Sequence, residues 1–394
     1  MNNRISYMKI CVITGSRAEY GLMSRLMQLI KEDAGLQLQI IATNMHLSVE
    51  HGETYKEIEA DGFTIDKKIP ILSSSDTANA VAKSVGTGVI GFADAYEELQ
   101  PDMILVLGDR YEILAAVSAA LFYKIPVAHL HGGEITEGAY DDAIRHAITK
   151  MSHLHFTSTE EYRQRVIQMG ENPDTVFYVG ALGCDNIHHI PLMDKEELEK
   201  SLNFTLDRKT ILVTFHPVTM ENNASEKQFK ELLLAMDTFD DLRVIFTMPN
   251  SDTDSKIIMT LIEEYVAKNQ QKTIAFTSLG MKCYLSALQY VGAVVGNSSS
   301  GIIEVPSFHI PTINIGNRQK GRMASQSVLN CEPTRDNIAQ KLKMALDPGF
   351  SASLLTVKNP YDRPDTARNI LKTIKQSIAD CNAMKSFYNV TFDI

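Results

Sequence analysis

Cysteine is scarce in this chain. The five thiols (Cys11, Cys184, Cys283, Cys331 and Cys381) are scattered, odd in number and never arranged as CxxC. That pattern excludes a disulfide framework and a zinc site of ordinary spacing, and it suits reduced thiols in a cytoplasmic protein. Long apolar runs are also missing, since none reaches the ~20 residues of a membrane span. The start, MNNRISYMKICVITG, enters a strand pattern without the apolar stretch and small-residue cleavage site of a secretory leader. Basic residues do not dominate: 38 Lys and Arg stand against 48 Asp and Glu, a net charge of −10. General nucleic-acid binding is disfavoured, while a local cationic pocket for an anionic metabolite remains compatible. No short-period repeat or low-complexity tract occurs.

Phosphate-binding glycine motifs are absent where they would count. The first strand–turn–helix has no GxGxxG, so a dinucleotide there is not expected. Gly86-Thr87-Gly88-Val89-Ile90-Gly91 matches GxGxxG in letters only. It lies inside a helical pattern over residues 77–99 with no strand before it, and close helix packing explains its small residues better.

What is present is a regular alternation of apolar strands and amphipathic helices. At 394 residues and 44% hydrophobic content, two domains are expected. Strands are read at residues 9–14, 36–42, 64–69, 103–107, 125–128, 154–158 and 176–179. A second set is read at 210–215, 242–248, 273–276, 293–295 and 312–315. Continuous apolar runs alternating with helices point to α/β architecture with parallel sheets. The polar stretch 185–201 reads as a linker, with His188 and His189 as solvated features of it. The expected units are two Rossmann-like domains facing across a cleft, residues 1–186 and 187–366. Residues 367–394 form a tail whose amphipathic helix, over 367–387, crosses back to the first domain.

In such sheets ligands bind beyond the carboxyl ends of the strands, and chemistry-bearing residues collect there. The run at 103–107 opens into Gly108-Asp109-Arg110. The run at 125–128 opens into His129, His131, Gly132, Gly133 and Glu134, then Asp141, Asp142, Arg145 and His146. Acids and imidazoles flanking a pair of glycines suit proton transfer beside a closely approached ligand. The i,i+4 pairs Asp141–Arg145 and Asp142–His146 also suit an ordinary helix start. Arg17 follows the first strand, His46 follows the second, and His216 follows the strand at 210–215. Gly296-Asn297-Ser298-Ser299-Ser300-Gly301 lies between a strand and an apolar helix, where backbone N–H groups and hydroxyls can cradle a phosphate. It lacks the GK[ST] ending of a P-loop. Glu304, just beyond, suits a ribose diol, and Arg318, Lys320 and Arg322 add cations for a diphosphate. Base contacts are expected near Phe276 or Asn250.

Taken together, GSRAEYG (15–21), GDRYE (108–112), HGGEITEGAYDDAIRHAITK (131–150), FHPVT (215–219), GNSSSGIIEV (296–305) and GNRQKGR (316–322) resemble the hydrolysing UDP-N-acetylglucosamine 2-epimerases of bacterial sialic- and legionaminic-acid biosynthesis. The resemblance covers nearly the whole chain. It implies a glycosyltransferase-B-like fold, no metal or other cofactor, a UDP-sugar substrate with UDP as product, no nucleic-acid or membrane partner, and a homodimer or homotetramer. It implies that Arg17, His216, Ser298, Ser299, Glu304 and Arg318 hold the nucleotide diphosphate. Asp109, Glu134, Asp141 and Arg145 would surround the sugar, with His46 nearby, and Arg110 is expected among the substrate-binding residues. Family members read His-x-Glu-Gly-Gly-Glu where this chain has His129-Leu130-His131-Gly132-Gly133-Glu134, so the acid/base role falls either to His131 or to Glu134. Asp141 either transfers a proton or orients another group. The sugar is either that of UDP-N-acetylglucosamine or the 4-acetamido-6-deoxy sugar of UDP-N,N'-diacetylbacillosamine. The alternatives are a non-hydrolysing 2-epimerase, a glycosyltransferase that needs an acceptor, and a nucleotide-sugar sensor.

Overall fold

The structure, a computed structural model, describes residues 7–73, 75, 77–137, 139–218, 224–250, 254–378, 381 and 384–391. The first sheet holds β1 (Met8–Thr14), β2 (Leu36–Thr43), β3 (Lys67–Ile69), β4 (Met103–Leu107), β5 (Val127–Leu130), β6 (Leu154–Thr157) and β7 (Val176–Tyr178). Their order is β3-β2-β1-β4-β5-β6-β7. The second holds β8 (Thr210–Thr214), β9 (Arg243–Thr247), β10 (Thr273–Phe276), β11 (Ala293–Gly296), β12 (Thr312–Ile315) and β13 (Val328–Cys331), in the order β10-β9-β8-β11-β12-β13. Every pairing is parallel.

The apolar runs follow from burial on both faces. Ile10 and Val12 of β1 enter one core while Cys11 and Ile13 enter another, as a period of two requires. In the second sheet Ile211 and Val213 face one core and Leu212 the other. Each sheet reverses its strand order once, between β1 and β4 and between β8 and β11. These reversals open a crevice at the strand C-termini, and the two crevices line one shared cleft.

Several expectations change. Residues 185–201 are not a linker: helices run over Leu182–His189 and Lys195–Leu202. The first is polar because its buried polar groups have partners. Asp185 pairs with Arg25 at 2.9 Å, and Asn186 donates to the Gly21 carbonyl at 3.0 Å. β5 extends to Leu130, so His129 is a buried strand residue, bonded to the Gly108 carbonyl at 2.8 Å. The final helix stops at Ser377 (Thr366–Ser377), short of 387. Ile370, Ile374 and Ile378 join the first-domain core beside Leu26 and Ile30; burial stabilises by roughly 1.5–3 kcal/mol for each such side chain. Residues 384–391 then lie along the first domain, where Lys385 reaches Glu171 at 2.7 Å and Tyr388 N–H donates to the Gly170 carbonyl.

The GxGxxG letters do sit in a helix, Ala78–Leu99. A Cβ on Gly88 would come within 2.9 Å of the Ala115 methyl, and one on Gly91 within 2.5 Å of Ile69. Small residues there permit close packing. No helix among the described residues is long and apolar enough to cross a membrane.

Candidate active site

The cleft is lined from the first domain by the segments after β1, β2, β4 and β5, and from the second by those after β8, β9, β10, β11 and β12. Asp109, Arg110, His131, Glu134, Asp141 and Arg145 stand on one side. His216, Asn250, Ser298, Ser299, Glu304 and Arg318 stand on the other, with Arg17 at the rim.

The acid–base side is built on β4, β5 and the helix Asp141–Met151. Arg145 is buried and makes an ion pair with Asp109, which is the more exposed partner. Its other arm donates to the Glu134 carbonyl at 2.8 Å and to Thr136 Oγ1 at 2.9 Å. Arg145 is thus a strut that aims Asp109. His131 adopts φ 63°, a left-handed conformation unfavourable for a side chain with a Cβ. That turn brings His131 Nδ1 to 3.1 Å from Glu134 Oε1, while the Leu182 N–H approaches Nε2 at 3.4 Å. Gly133 has no alternative to glycine, since φ is 78° and a Cβ would meet the Tyr162 carbonyl at 2.5 Å.

Glu134 is fully engaged. Oε1 accepts from Ser158 Oγ at 2.7 Å, and Oε2 pairs with Arg322 at 2.9 Å. Burial by itself would raise its pKa, but Arg322, His131 and Ser158 outweigh burial and hold it at about 2. Glu134 is therefore a fixed anion that orients His131, while His131 and Asp109 face the cleft. Asp141 meets Arg318 across the cleft at 3.5 Å. His146 turns away to Asp142, also at 3.5 Å, and does not line the cleft.

On the opposite side, Asn297 clamps β8 to β11. Its Oδ1 accepts from His216 N–H at 2.7 Å, and its Nδ2 donates to the His216 carbonyl at 2.8 Å. The Asn250 N–H donates to His216 Nδ1 at 3.3 Å, which leaves the proton on Nε2. Ser298 and Ser299 open the cradle, and Arg318 Nη1 holds the Asn297 carbonyl at 3.2 Å. Burial lifts Glu304 to about 7, against a hydrogen bond from Ser300 and the nearby His131.

Two expectations need correction. His46 does not reach the ligand space. It is fully buried, with Thr14 Oγ1 at 3.0 Å from one ring nitrogen and Thr54 Oγ1 at 2.8 Å from the other. Burial lowers it to about 4, so it is a neutral core histidine. The helix after the serine cradle, Ser300–Ile303, has four residues. Its dipole is small, so the cradle acts through N–H and hydroxyl donors. The long helix that starts at the cleft is Arg17–Glu32, with 16 residues. Arg17 pairs with Glu57 at 2.6 Å and reaches the Ser278 carbonyl across the cleft at 3.0 Å. Asn250 lines the cleft, whereas Phe276 does not.

The sequence pattern of the UDP-N-acetylglucosamine 2-epimerase family matches residues 28–375. The chain belongs to that family. It is 45% identical over 328 residues to the GDP/UDP-N,N'-diacetylbacillosamine 2-epimerase (hydrolyzing) of Campylobacter jejuni, covering 83% of this chain and 85% of that protein. It is 37% identical over 381 residues to the UDP-N,N'-diacetylbacillosamine 2-epimerase (hydrolyzing) of Legionella pneumophila, covering 95% and 99%. The crystal structure of the Neisseria meningitidis UDP-GlcNAc 2-epimerase bound to UDP-GlcNAc superposes with a TM-score of 0.76 at 17% identity, covering 94% of this chain and all of that one. The fold is accordingly glycosyltransferase-B-like.

In this 2-epimerase chain, four residues at the cleft or behind its wall carry more than the sequence revealed. Arg322, read only as one of three cations, is the counterion of Glu134. Asn297 lies in the serine motif but acts as a clamp. Glu19 lines the cleft wall beneath the Gly15 turn. Gly183 leaves room for Glu304: a Cβ there would lie 2.0 Å from Glu304 Oε1. Arg322, Asn297 and Glu19 each lay in a quoted motif; the fit of Gly183 against Glu304 depends on contact between distant segments.

Proposed function

We propose that this protein is a hydrolysing UDP-sugar 2-epimerase, converting UDP-N,N'-diacetylbacillosamine to UDP and the free 2-epimeric sugar by anti elimination of UDP followed by addition of water. The observation that carries this reading is the opposition of two sets of groups across one cleft. The first domain presents Asp109 and the His131–Glu134 pair; the second presents Ser298, Ser299 and Arg318.

As the C1–O bond to the diphosphate breaks, its electron pair leaves with UDP. A base removes the C2 proton, and the C1=C2 bond of a 2-acetamidoglucal forms. Water oxygen then adds to C1, and a proton is delivered to the other face of C2. Asp109 and His131 carry these proton transfers, each such positioned group supplying ~10²–10⁴-fold in rate. Glu134 orients His131, and Arg145 aims Asp109. Arg110 and Asp141 border the sugar, Asp141 held by Arg318. The departing diphosphate meets the cradle donors, Arg318, Arg17 and His216 Nε2–H. Glu304 accepts from the ribose diol, and Asn250 borders the base.

The two relatives named for diacetylbacillosamine support the substrate. The moving bodies in this reading are residues 1–186 and 187–366, with 367–394 carried on the first. Two copies pair through the helices Ala78–Leu99 and Tyr111–Tyr123, on which Ile90, Leu121, Phe122 and Tyr123 are each exposed, at 68, 50, 80 and 38%. A cytoplasmic location completes the reading, with a product of the kind used for sialic- and legionaminic-type acids.

The test is proton NMR in deuterated buffer, offering UDP-N,N'-diacetylbacillosamine, its GDP counterpart and UDP-N-acetylglucosamine separately. Free nucleotide plus a free manno-configured sugar deuterated at C2 is expected with the first. Exchange with the nucleotide still attached means a non-hydrolysing epimerase. No reaction with any of the three overturns the proposal.

A further inference from the structure

Two buried carboxylates lie together under the turn after β1, and the reaction described above uses neither. Glu19, on the helix Arg17–Glu32, turns back so that its Oε2 accepts from the Gly15 N–H at 2.7 Å, while its own N–H donates to Ser16 Oγ at 3.4 Å. Glu112, on the helix Tyr111–Tyr123, presses on the same glycine from the other side. A Cβ on Gly15 would lie 2.3 Å from Glu112 Oε1. That oxygen also pairs with Arg110 Nε at 2.8 Å. Glu112 is fully buried and Glu19 is 5% exposed. The remaining oxygens, Glu19 Oε1 and Glu112 Oε2, are buried and have no hydrogen-bond partner among the described residues. Two ionised carboxylates in this position would leave two orphaned acceptors and one arginine for two negative charges.

We infer that Glu19 and Glu112 share one proton, and that Glu19 is thereby a positioning residue that keeps the floor of the cleft neutral where a nucleotide diphosphate binds. One O–H···O bond would satisfy both orphaned oxygens, and the proton belongs to the pair rather than to either residue. With it, Glu19, Glu112 and Arg110 sum to zero charge. Burial, and next the Glu112 charge, lift Glu19 to about 8, against Arg110 and the Gly15 and Ser16 N–H groups. The other titratable or charged groups near the turn are Arg17 on the same helix, Asp109 and His51 on the cleft side, and His46 behind the turn, which burial keeps neutral. Loss of the shared proton would place an unbalanced negative charge under the start of a long helix, cancelling the positive potential of that helix end and repelling an incoming diphosphate.

The inference rests on the cleft being a nucleotide-diphosphate site, and the experiment separates the two. UDP affinity is measured by calorimetry on the full chain from about pH 6.5 to about pH 9, for wild type, Glu19→Gln and Glu19→Ala. Glutamine can accept from Gly15 N–H and donate to Glu112, so it imitates the protonated pair. UDP's own ionisations affect all three proteins alike. Wild-type affinity is expected to fall on the order of threefold to tenfold towards the alkaline end. Glu19→Gln should stay flat over that range, and Glu19→Ala should bind more weakly throughout. In parallel, the infrared carbonyl band of buried protonated carboxyls, to which Glu304 also contributes at neutral pH, should be weaker by one carboxyl in ligand-free Glu19→Gln than in wild type. Parallel pH profiles for wild type and Glu19→Gln, or equal carbonyl bands in the two, overturn the inference. If Glu19→Gln fails to fold, Glu112→Gln makes the same comparison. No UDP binding by wild type at any pH would instead sink the proposed function, while the infrared band still judges the shared proton.

Discussion

Replacing Glu134 by Gln should expose how strongly the two domains are tied at the cleft. Glu134 is 2% exposed and its counterion Arg322, at 2.9 Å, has a 5% exposed side chain. The carboxyl titrates at about 2 in the folded chain, against an ordinary 4.5. That gap, at about 1.36 kcal/mol per pH unit, corresponds to about 3 kcal/mol of stability. The size agrees with the roughly 3–5 kcal/mol lost when one partner of a buried ion pair is removed and the other charge is stranded. Because the folded pKa is depressed, this stability is fully present above pH 4.5 and is lost as pH falls through about 2. Urea unfolding at neutral pH should therefore show E134Q about 3 kcal/mol less stable than wild type, with the difference shrinking on acidification through that window. R322M should also be destabilised, losing its bonds to the Ile135 carbonyl and Thr136 as well. The double variant E134Q/R322M should be more stable than the sum of the single losses implies, because no charge is then stranded. If E134Q lies within about 0.5 kcal/mol of wild type, or its deficit does not change with pH, the argument for a buried, ionised Glu134 is wrong.

Further outcomes follow from the same geometry. D109N should lose ~10²–10⁴-fold of turnover, read as UDP release from the sugar nucleotide. H46V should cost about 1–3 kcal/mol of stability by removing the ring's hydrogen bonds to the buried Thr14 and Thr54 hydroxyls, yet keep the wild-type pH profile of kcat/KM at a temperature where it is folded; a loss of the acid or basic limb would return His46 to the reacting groups. G183A forces its new methyl onto the Glu304 carboxyl, so UDP affinity should drop by on the order of tenfold and stability by about 1–3 kcal/mol. Calorimetry and thermal unfolding check the two together.

The strand-end motifs were legible because strand and site chemistry are local in sequence. Each apolar run of β4, β5, β8 and β11 ends at the residues that line the cleft. The polarity of residues 185–201 misled because composition cannot distinguish a solvated linker from a buried helix whose polar groups find partners such as Arg25 and the Gly21 carbonyl. His46 and His131 look alike in sequence, each standing just past an apolar strand. One is sealed between two threonines, while the other turns through a left-handed conformation to meet a carboxylate.

By itself, then, the sequence determined two parallel α/β halves, the ends of the strands at which a ligand must sit, and the residue types offered to it. Apolar periodicity and turn composition act over a few residues, so they can be read in order along the chain. The tertiary structure alone decided which of those residues face one another and in what charge state. Glu134 is held as an anion because Arg322 arrives from the other domain, and burial in the folded chain lifts Glu304 to about 7. Burial and Coulomb interaction depend on distance in space, and segments far apart in the chain set that distance only when both sheets are folded and facing.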